Sequence, residues 1–556
     1  MARVPNTENQ QMTHRQIMLV LVGLMSGMFL SALDQTVVGT AMRTIADDLN
    51  GLSQQAWVTT AYLIVSTVVT PIAGKLSDIF GRRPIYIISI GVFLLGSLLS
   101  GLADSMMSLA AFRAVQGIGG GGLMSLAFTI IGDMVPPRER ARYQGFFIAV
   151  FGSSSVLGPL VGGFFAGAPD ILGITGWRWV FLINMPIGAI ALFMVWRFLH
   201  VPQIKQDHKI DWWGVLTVII AVTPLLLVAE NGREWGWGSN ESLLCYVLGV
   251  AGIAAFIWAE KRMGAAALIP LSLFKSVTFS QLTVLGILVG FAMFGAMMTI
   301  PLFMQLVIGS TPTESGIQML PMVFGILIAT GVGGRVISKT GKYKILPIIG
   351  TGLMVFAFAW LSQISKDSDY TFIMVGMLAV GIGLGLMMQT LTIASQNAVS
   401  SRDIGVATSG ATFFRQIGGT LGTAVLFSVL FGRIPEALKD IFARPETTKA
   451  LMTAIQDPAI ANDPKNAAII ELLKNGASDP GSVSGALSGD TSFLNGASKV
   501  LTEPFVEGFA SSAQSVYLVA VIVAIAAFVL SWFIKAEPLR DKSAMQENLE
   551  AQAGGH

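Results

Sequence analysis

Asp34 and Arg113 are the residues best placed to do chemistry, because each is an ionisable group set inside a long apolar run. Asp34 is the only acid well inside the first run, in Leu33-Asp34-Gln35-Thr36-Val37-Val38. A carboxylate at that depth is costly and by default marks a pathway for ions or substrate. Desolvation disfavours its charged form, so Asp34 is expected to exchange a proton near physiological pH. The same carboxylate could pair with a cationic substrate, and the plainer reading is an outer-end acid in a fixed ion pair. Arg113, in Arg113-Ala-Val-Gln116-Gly117, is the matching buried cation. It either tunes the proton affinity of Asp34 as the two approach and separate, or forms a static structural pair. Of the basic residues, only Arg113 and Arg415 sit well inside a run rather than at its end.

A second constellation occurs twice. Gly74-Lys-Leu-Ser-Asp78-Ile-Phe-Gly81-Arg82-Arg83 returns about 260 residues later as Gly334-Arg-Val-Ile-Ser-Lys-Thr-Gly341-Lys-Tyr-Lys. In both copies two glycines stand seven apart, basic residues follow, and apolar runs flank the turn. Arg82 could pair with Asp133, and Asp78 could face the start of the helix near Asp403, where the macrodipole favours an anion. These residues are read as a latch on the inner side; the plainer reading is a positive anchor. Further copies agree. Gly117-Ile-Gly-Gly-Gly-Gly-Leu-Met-Ser is echoed by Gly381-Ile-Gly-Leu-Gly-Leu-Met-Met-Gln, and Arg138-Glu139 by Arg402-Asp403, each about 264 residues on. Matching offsets imply two parallel six-helix halves. The run 117–122 also fits a dinucleotide glycine pattern, but it follows no strand, so that match is spurious.

A third motif is Gly152-Ser-Ser-Ser-Val-Leu-Gly158-Pro159-Leu-Val-Gly162-Gly163. The proline is expected to bend its helix, and the glycines to admit a close neighbour. This segment is read as a hinge or seam.

The elements that must hold these residues follow from composition. The 556 residues are 53% hydrophobic and only 12% charged, about half the charged share of soluble domains. Apolar runs lie near 16–38, 54–74, 84–102, 106–132, 140–167, 178–199, 210–230, 242–260, 277–307, 315–338, 345–364, 371–397, 404–432 and 514–534, about fourteen membrane spans. With the N-terminus inside, inward segments collect Lys75, Arg82, Arg83, Arg138, Arg140, Lys339 and Lys342 among others. Short outward loops hold Arg43, Arg178, Arg233 and Lys366. That asymmetry supports the topology. The first run is expected to be a retained span rather than a signal peptide. The expected organisation is a first bundle over 1–200, two inserted helices and linkers over 201–275, a second bundle over 276–534, and a cytoplasmic tail over 535–556. The second bundle contains a polar outer insertion over 433–513, with helical patches at 447–455 and 467–474 and a Gly/Ser stretch around 476–490. That insertion is either a spacer or a docking site for a partner.

Several classes are excluded. A net charge of +2 offers no field for nucleic acid. No phosphate loop suggests an ATP motor. The four histidines, His14, His200, His208 and His556, fall outside the runs, so a histidine proton relay is not expected. Cys245 is the single cysteine, and an inert packing residue. No enzyme activity, cofactor or metal is called for.

Taken together, these residues resemble the major facilitator superfamily, and within it the fourteen-span EmrB/QacA type of drug/proton antiporter. Gly74 to Arg83 is similar to its cytoplasmic-loop motif, Arg113-x-x-Gln116-Gly117 to its fourth-helix motif, and Gly152 to Gly163 to its antiporter motif. Leu33 to Val38 resembles the first-helix signature, and Trp177-Arg178-Trp179-Val180-Phe181-Leu182-Ile183-Asn184-x-Pro186-x-Gly188 the opening of the sixth span. The resemblance implies an all-α membrane protein of the major facilitator fold: two six-helix bundles with two extra transmembrane helices between them, 14 spans in all. It implies proton-driven export by alternating access, with Asp34 and Arg113 in proton coupling. Gly74, Asp78, Gly81, Arg82, Arg83 and Asp133 form the expected cytoplasmic gate, and Gly152, Gly158, Pro159, Gly162 and Gly163 the hinge. Unlike several multidrug members, this chain has no acid in the second or penultimate span, so Asp34 stands as the sole carboxylate for proton and cargo.

The expected cargo is a bulky amphipathic compound, often cationic, held by an adaptable lining such as Met28, Trp57, Met297, Met298, Gln305 and Gln389. Export of an envelope lipid or endogenous metabolite is the alternative. Expected partners are the lipid bilayer, small substrates and protons, with an outer partner at 433–513 left open and a monomer assumed. The expected location is the cytoplasmic membrane of a bacterium, both termini inside.

Overall fold

The structure, a computed structural model, describes residues 14–49, 54–199, 210–476, 494, 496–535, 537–540, 542–543 and 546–547. The side chains of Met297 and Met298 lie outside the described residues, as do His200, His208, His556 and the Gly/Ser stretch beyond residue 476.

Among the described residues, thirteen helical segments are long and apolar enough to cross a bilayer, and the 17-residue Ile345–Leu361 is the fourteenth apolar helix. The first six spans are α1 (His14–Asp48), α2 (Gln55–Phe80), α3 (Arg82–Gly101), α4 (Met106–Met134), α5 (Pro137–Gly167), and a sixth made of α6 (Trp179–Leu182) and α7 (Asn184–Phe198). A two-stranded hairpin, β1 (Asp170–Ile171) with β2 (Ile174–Thr175), precedes the sixth span. It pairs Asp170 with Thr175 and Ile171 with Ile174. The inserted pair is α8 (Trp212–Trp235) and α9 (Asn240–Met263). The second half holds α10 (Val277–Phe303), α11 (Pro312–Gln318), α12 (Leu320–Thr340), α13 (Ile345–Leu361), α14 (Tyr370–Asn397) and α15 (Ile404–Phe442). After them come α16 (Pro445–Gln456), α17 (Pro458–Ala461), α18 (Ala467–Gly476) and the final span, α19 (Lys499–Phe533).

Close backbone contact explains the glycine runs. A Cβ on Gly117 would lie 2.7 Å from the Tyr62 carbonyl oxygen of α2, and one on Gly119 2.5 Å from the Ser89 carbonyl oxygen of α3. In the second half the pattern repeats. A Cβ on Gly385 would lie 2.6 Å from the Ile326 carbonyl oxygen of α12, and one on Gly383 2.8 Å from the Gly350 carbonyl oxygen of α13. Each glycine-rich helix is therefore clasped between two neighbours, where lipid offers no hydrophobic drive and packing must supply the attraction.

The buried apolar residues follow the same division. Two clusters lie within the first half and a larger one within the second. The inserted helix α8 packs through Val218, Ala221 and Val222 against Ile64 and Val68 of α2 and Phe413 of α15, so it bridges both halves. Helix α9 turns Leu244, Val247, Val250 and Trp258 outward, as a lipid-facing helix must. Pro301 in α10 is followed by a π-helical turn, Met304–Ile308, which closes on Gly309.

Helix bounds depart from the sequence reading at the outer insertion. Helix α15 runs on to Phe442 and α19 begins at Lys499, so only 443–498 is separate from these two long helices. The α15 helix is 39 residues, about 58 Å by helical rise, against a hydrocarbon core of about 30 Å. Its polar end therefore projects beyond the apolar layer. Phe442 packs on Phe505 at 5.9 Å, which keeps the two projecting ends side by side.

Candidate functional site

Asp34 is fully buried in the first half, at the meeting of α1, α3, α4 and the sixth span. Arg113 donates to its Oδ2 through Nη1. Two neutral donors reach Oδ1: Gln116 Nε2 at 2.8 Å and Asn184 Nδ2 at 2.9 Å. Ser97 Oγ braces both amides, accepting from Gln116 at 3.0 Å and Asn184 at 2.7 Å, and donates to the Phe181 carbonyl at 3.1 Å. The guanidinium lies over the Tyr62 ring, 4.2 Å from its centre, and Tyr62 shares a 2.8 Å hydrogen bond with Ser31. A desolvated ion pair persists only where further hydrogen bonds complete it, and here α4 and the sixth span supply them, braced by Ser97 of α3. Completion is not total. Among the described residues, Arg113 Nε and Asn184 Oδ1 are buried with no hydrogen-bond partner.

Sequence reasoning placed Asp34 and Arg113 here but assigned no role to Ser97, Tyr62, Ser31 or Asn184. Asn184 stood in the quoted sixth-span signature, and the structure gives that signature a physical basis. Trp177 Nε1 donates to Asp48 Oδ2 at 2.8 Å, and Arg178 Nη1 to the Gly101 and Ala103 carbonyls at 2.8 Å each. Those bonds fix the end of the sixth span, and Asn184 follows a turn and a half later.

The basic turns lie together at the opposite end. Gly81 and Gly341 both take positive φ, 101° and 67°, a conformation that costs any other residue about 1–2 kcal/mol. Arg82 donates to Asp133 at 2.6 Å, to Ser77 at 2.6 Å, and to Asp78. Asp78 and Arg82 pack against Gly405, in the first turn of α15. The second copy reaches back: a Cβ on Gly341 would come 2.8 Å from Arg138 Nη2 of α5. Gly74 faces Ser409 of α15. Arg83 does not join this seam. It turns to the sixth span and donates to the Trp196 carbonyl, within the first half, because it points away from α15.

Arg140 and Gln396, not singled out by the sequence, close the same end. Arg140 Nη1 donates to Gln396 Oε1, and its Nη2 to the Gly132 and Val135 carbonyls at 2.6 and 2.8 Å. Gln396 Nε2 donates to the Phe128 carbonyl at 3.2 Å and to Thr408 Oγ1 at 2.8 Å. One side chain thus ties α4, α5, α14 and α15. Neither an amide inside an apolar helix nor an arginine in a basic loop announces such a pairing in sequence.

In the hinge segment, Gly152 meets Val323 of α12, Gly158 meets Thr36 of α1, and Gly162 meets the Val37 carbonyl, while Gly163 faces open space. Pro159 packs 3.1 Å from the Cβ position of Gly316. Helix α5 runs unbroken through Pro159.

The expected cargo contacts scatter. Met28 is fully buried within the first-half apolar core. Trp57 is half-buried. Gln305 donates to Ser315 at 3.0 Å, and Gln389 is buried against Gly333. Two further buried acids, Asp211 and Glu260, lie at the basic end of α8 and α9. Asp211 accepts from the Gly214 amide at 2.7 Å and Glu260 from the Ile269 amide at 3.0 Å, holding the 264–270 loop. Asp34 is therefore not the sole buried carboxylate of the membrane region.

Comparison with known proteins places this architecture. Residues 24–423 match the family model described as Major Facilitator Superfamily. The multidrug transporter protein MdtP of Bacillus subtilis is 40% identical over 76% of this chain and 77% of its own length. Multidrug resistance protein 3 of the same organism is 35% identical over 76% of this chain and 81% of its own. An MFS-type transporter of Mycobacterium tuberculosis is 35% identical over 94% of this chain and 70% of its own. Among solved structures, the proton:xylose symporter XylE shares the fold at a TM-score of 0.58 and 16% identity, over 96% of this chain and 99% of that one. The chain belongs to the Major Facilitator Superfamily, an all-α family of membrane transporters.

Proposed function

We propose that this chain is a drug/proton antiporter that exports amphipathic compounds by alternating access. The single observation that carries the reading is the buried Asp34–Arg113 pair with its two amide donors. The names of relatives at 35–40% identity support the cargo class.

In this proposal the basic end is cytoplasmic and both termini lie inside a cell membrane. The bundles 1–200 and 276–534 rock about α5 and its glycines, and the contacts of Gly74, Asp78, Arg82 and Arg140 latch the inner side. A proton can neutralise Asp34 only once the guanidinium withdraws. Arg113 then needs a new acceptor, and the unpartnered Asn184 Oδ1, on the side chain whose amide nitrogen bonds Asp34, is a candidate. Rocking and proton loading are thereby coupled through one ion pair. A driving force of about 150 mV supplies roughly 3.5 kcal/mol per proton, enough for a gradient of a few hundredfold. Met297, Met298 and Trp57 remain the proposed adaptable lining.

The test is a proteoliposome assay of substrate-induced pH change. Asp34→Asn is expected to abolish proton-linked transport of a cationic dye. Wild-type rates in that variant would overturn the assignment.

Export of an endogenous metabolite is a second reading, favoured by the acurin A biosynthesis cluster transporter of Aspergillus aculeatus, 31% identical over 73% of this chain. Replacing 446–497 by a short linker separates the two. Intact dye efflux with loss of an envelope phenotype would favour the second.

A further inference from the structure

We infer that Arg415 anchors an anion-accepting subsite in the second half, so that the cargo carries a carboxylate, sulfonate or phosphate group beside its apolar body. This rests on the transport reading above and changes its cargo: the favoured substrate is anionic or zwitterionic rather than purely cationic.

Arg415 lies eleven residues into α15, about 16 Å along the helix from Ile404 and so well within the membrane. Its stem packs on Gly290 of α10, whose Cβ position is 3.2 Å from Arg415 Cγ. Arg415 lines a narrow cleft between α10, α14 and α15. An arginine keeps its charge and presents five donors. Among the described residues, nothing accepts from them and no carboxylate pairs with them. The arginines Arg113, Arg82 and Arg140 differ. Arg113 has Asp34 and Gln116, Arg82 has Asp78 and Asp133, and Arg140 has Gln396 and two carbonyls.

Among the described residues, the helices that line the cleft offer no counter-charge at that depth. Helices α10, α12, α13 and α14 contain no acid, and α15 has none before Glu436. An uncompensated charge at membrane depth is kept where it meets a ligand or ion. Ser395 presents a hydroxyl with no hydrogen bond among the described residues, a second donor beside the guanidinium. Thr392 and Thr412 spend their protons on their own helices, donating to Met388 and Thr408 carbonyls at 3.0 and 2.9 Å. They shape the cleft without competing for an anion.

The cleft also borders the seam. Its wall residue Thr408 accepts from Gln396, which Arg140 of the first half holds, and Gln416 accepts from Thr70 of α2 at 3.3 Å. An anion bound at Arg415 therefore sits one side chain away from contacts that must break when the halves rock.

The full-length protein in phosphatidylcholine nanodiscs, with no pH gradient, is titrated with decanesulfonate and with decyltrimethylammonium. Arg415→Gln is expected to weaken decanesulfonate binding at least tenfold and to leave the ammonium probe within twofold. Ser395→Ala is expected to weaken the sulfonate two- to fivefold, and it decides the matter if Arg415→Gln fails to fold. A repeat in phosphatidylglycerol nanodiscs distinguishes the source of the anion. Sulfonate binding that persists assigns the subsite to free cargo, and binding lost by competition in the wild type alone assigns it to a lipid head group. Sulfonate affinity unchanged within twofold in folded Arg415→Gln, or in Ser395→Ala where that is the deciding variant, overturns the proposal. Because no gradient is applied, a failure of proton coupling would not move these readouts.

Discussion

Two arginines lie within the membrane spans of opposite halves, Arg113 buried and Arg415 partly exposed, and they are treated differently. Arg113 is enclosed by a carboxylate, an amide and an aromatic ring, whereas Arg415 faces a cleft with a lone serine hydroxyl. The repeat does not carry the charge across: the position 264 residues after Arg113 is Met377, fully buried in the second-half core. Duplicated architecture thus holds unduplicated chemistry. The first half holds an internally balanced pair, and the second holds a charge with no carboxylate partner among the described residues. Under the proposals above, that difference separates a site for a proton from a site for cargo.

The comparison is most easily broken by stability. Arg113→Met leaves Asp34 as a buried, unpaired carboxylate and is expected to cost about 3–5 kcal/mol. Chemical or thermal unfolding of the purified protein checks it, and the double variant Asp34→Asn/Arg113→Met is expected to recover most of the loss. A cost below about 1 kcal/mol for the single change would make the first half no more committed to its charge than the second. A smaller effect is expected at the link between the halves. Gln396→Leu removes the acceptor of Arg140 Nη1 and the bonds to Phe128 and Thr408, leaving a buried donor short of partners at about 1–3 kcal/mol. With Cys245 replaced by serine, a cysteine at position 409 is expected to label several-fold faster in that variant, reporting an opened basic end. The smallest effect, opposite in sign, is expected at Arg415. Arg415→Met removes an uncompensated charge and should stabilise the protein by about 0.5–2 kcal/mol while impairing transport, as functional sites held at a cost to stability do. Destabilisation comparable to that of Arg113→Met would mean that Arg415 has a protein partner and the contrast is false.

Much of this was legible in the residue string. Apolar runs of membrane length located every span to within a few residues at most ends, because hydrocarbon forces each segment to satisfy its own backbone as helix. The two turns were legible because only glycine takes the positive φ of positions 81 and 341 without strain, so both copies retained it. The ion pair was legible because ionisable residues are scarce at that depth. The outer ends of α15 and α19 were not: residues 433–442 and 499–513 are polar enough to read as loop, yet they continue as helix because each packs on the other, as Phe442 on Phe505. The burial of Met28 was not legible either, since a lone methionine on a helix carries no mark of which neighbour it faces.

Composition and pattern alone determined a two-fold repeated bundle of about fourteen helices with Asp34, Arg113 and Arg415 at membrane depth, because burying charge or exposed backbone in lipid is too costly to occur without leaving a trace in sequence. Tertiary structure alone decided who meets whom: that Asn184 and Ser97 complete the Asp34 pair, that Gln396 ties Arg140 to Thr408, and that Arg415 meets no acid among the described residues. Those outcomes depend on helix rotation and crossing, which are set by the glycine contacts summed over whole interfaces rather than by any local run of residues.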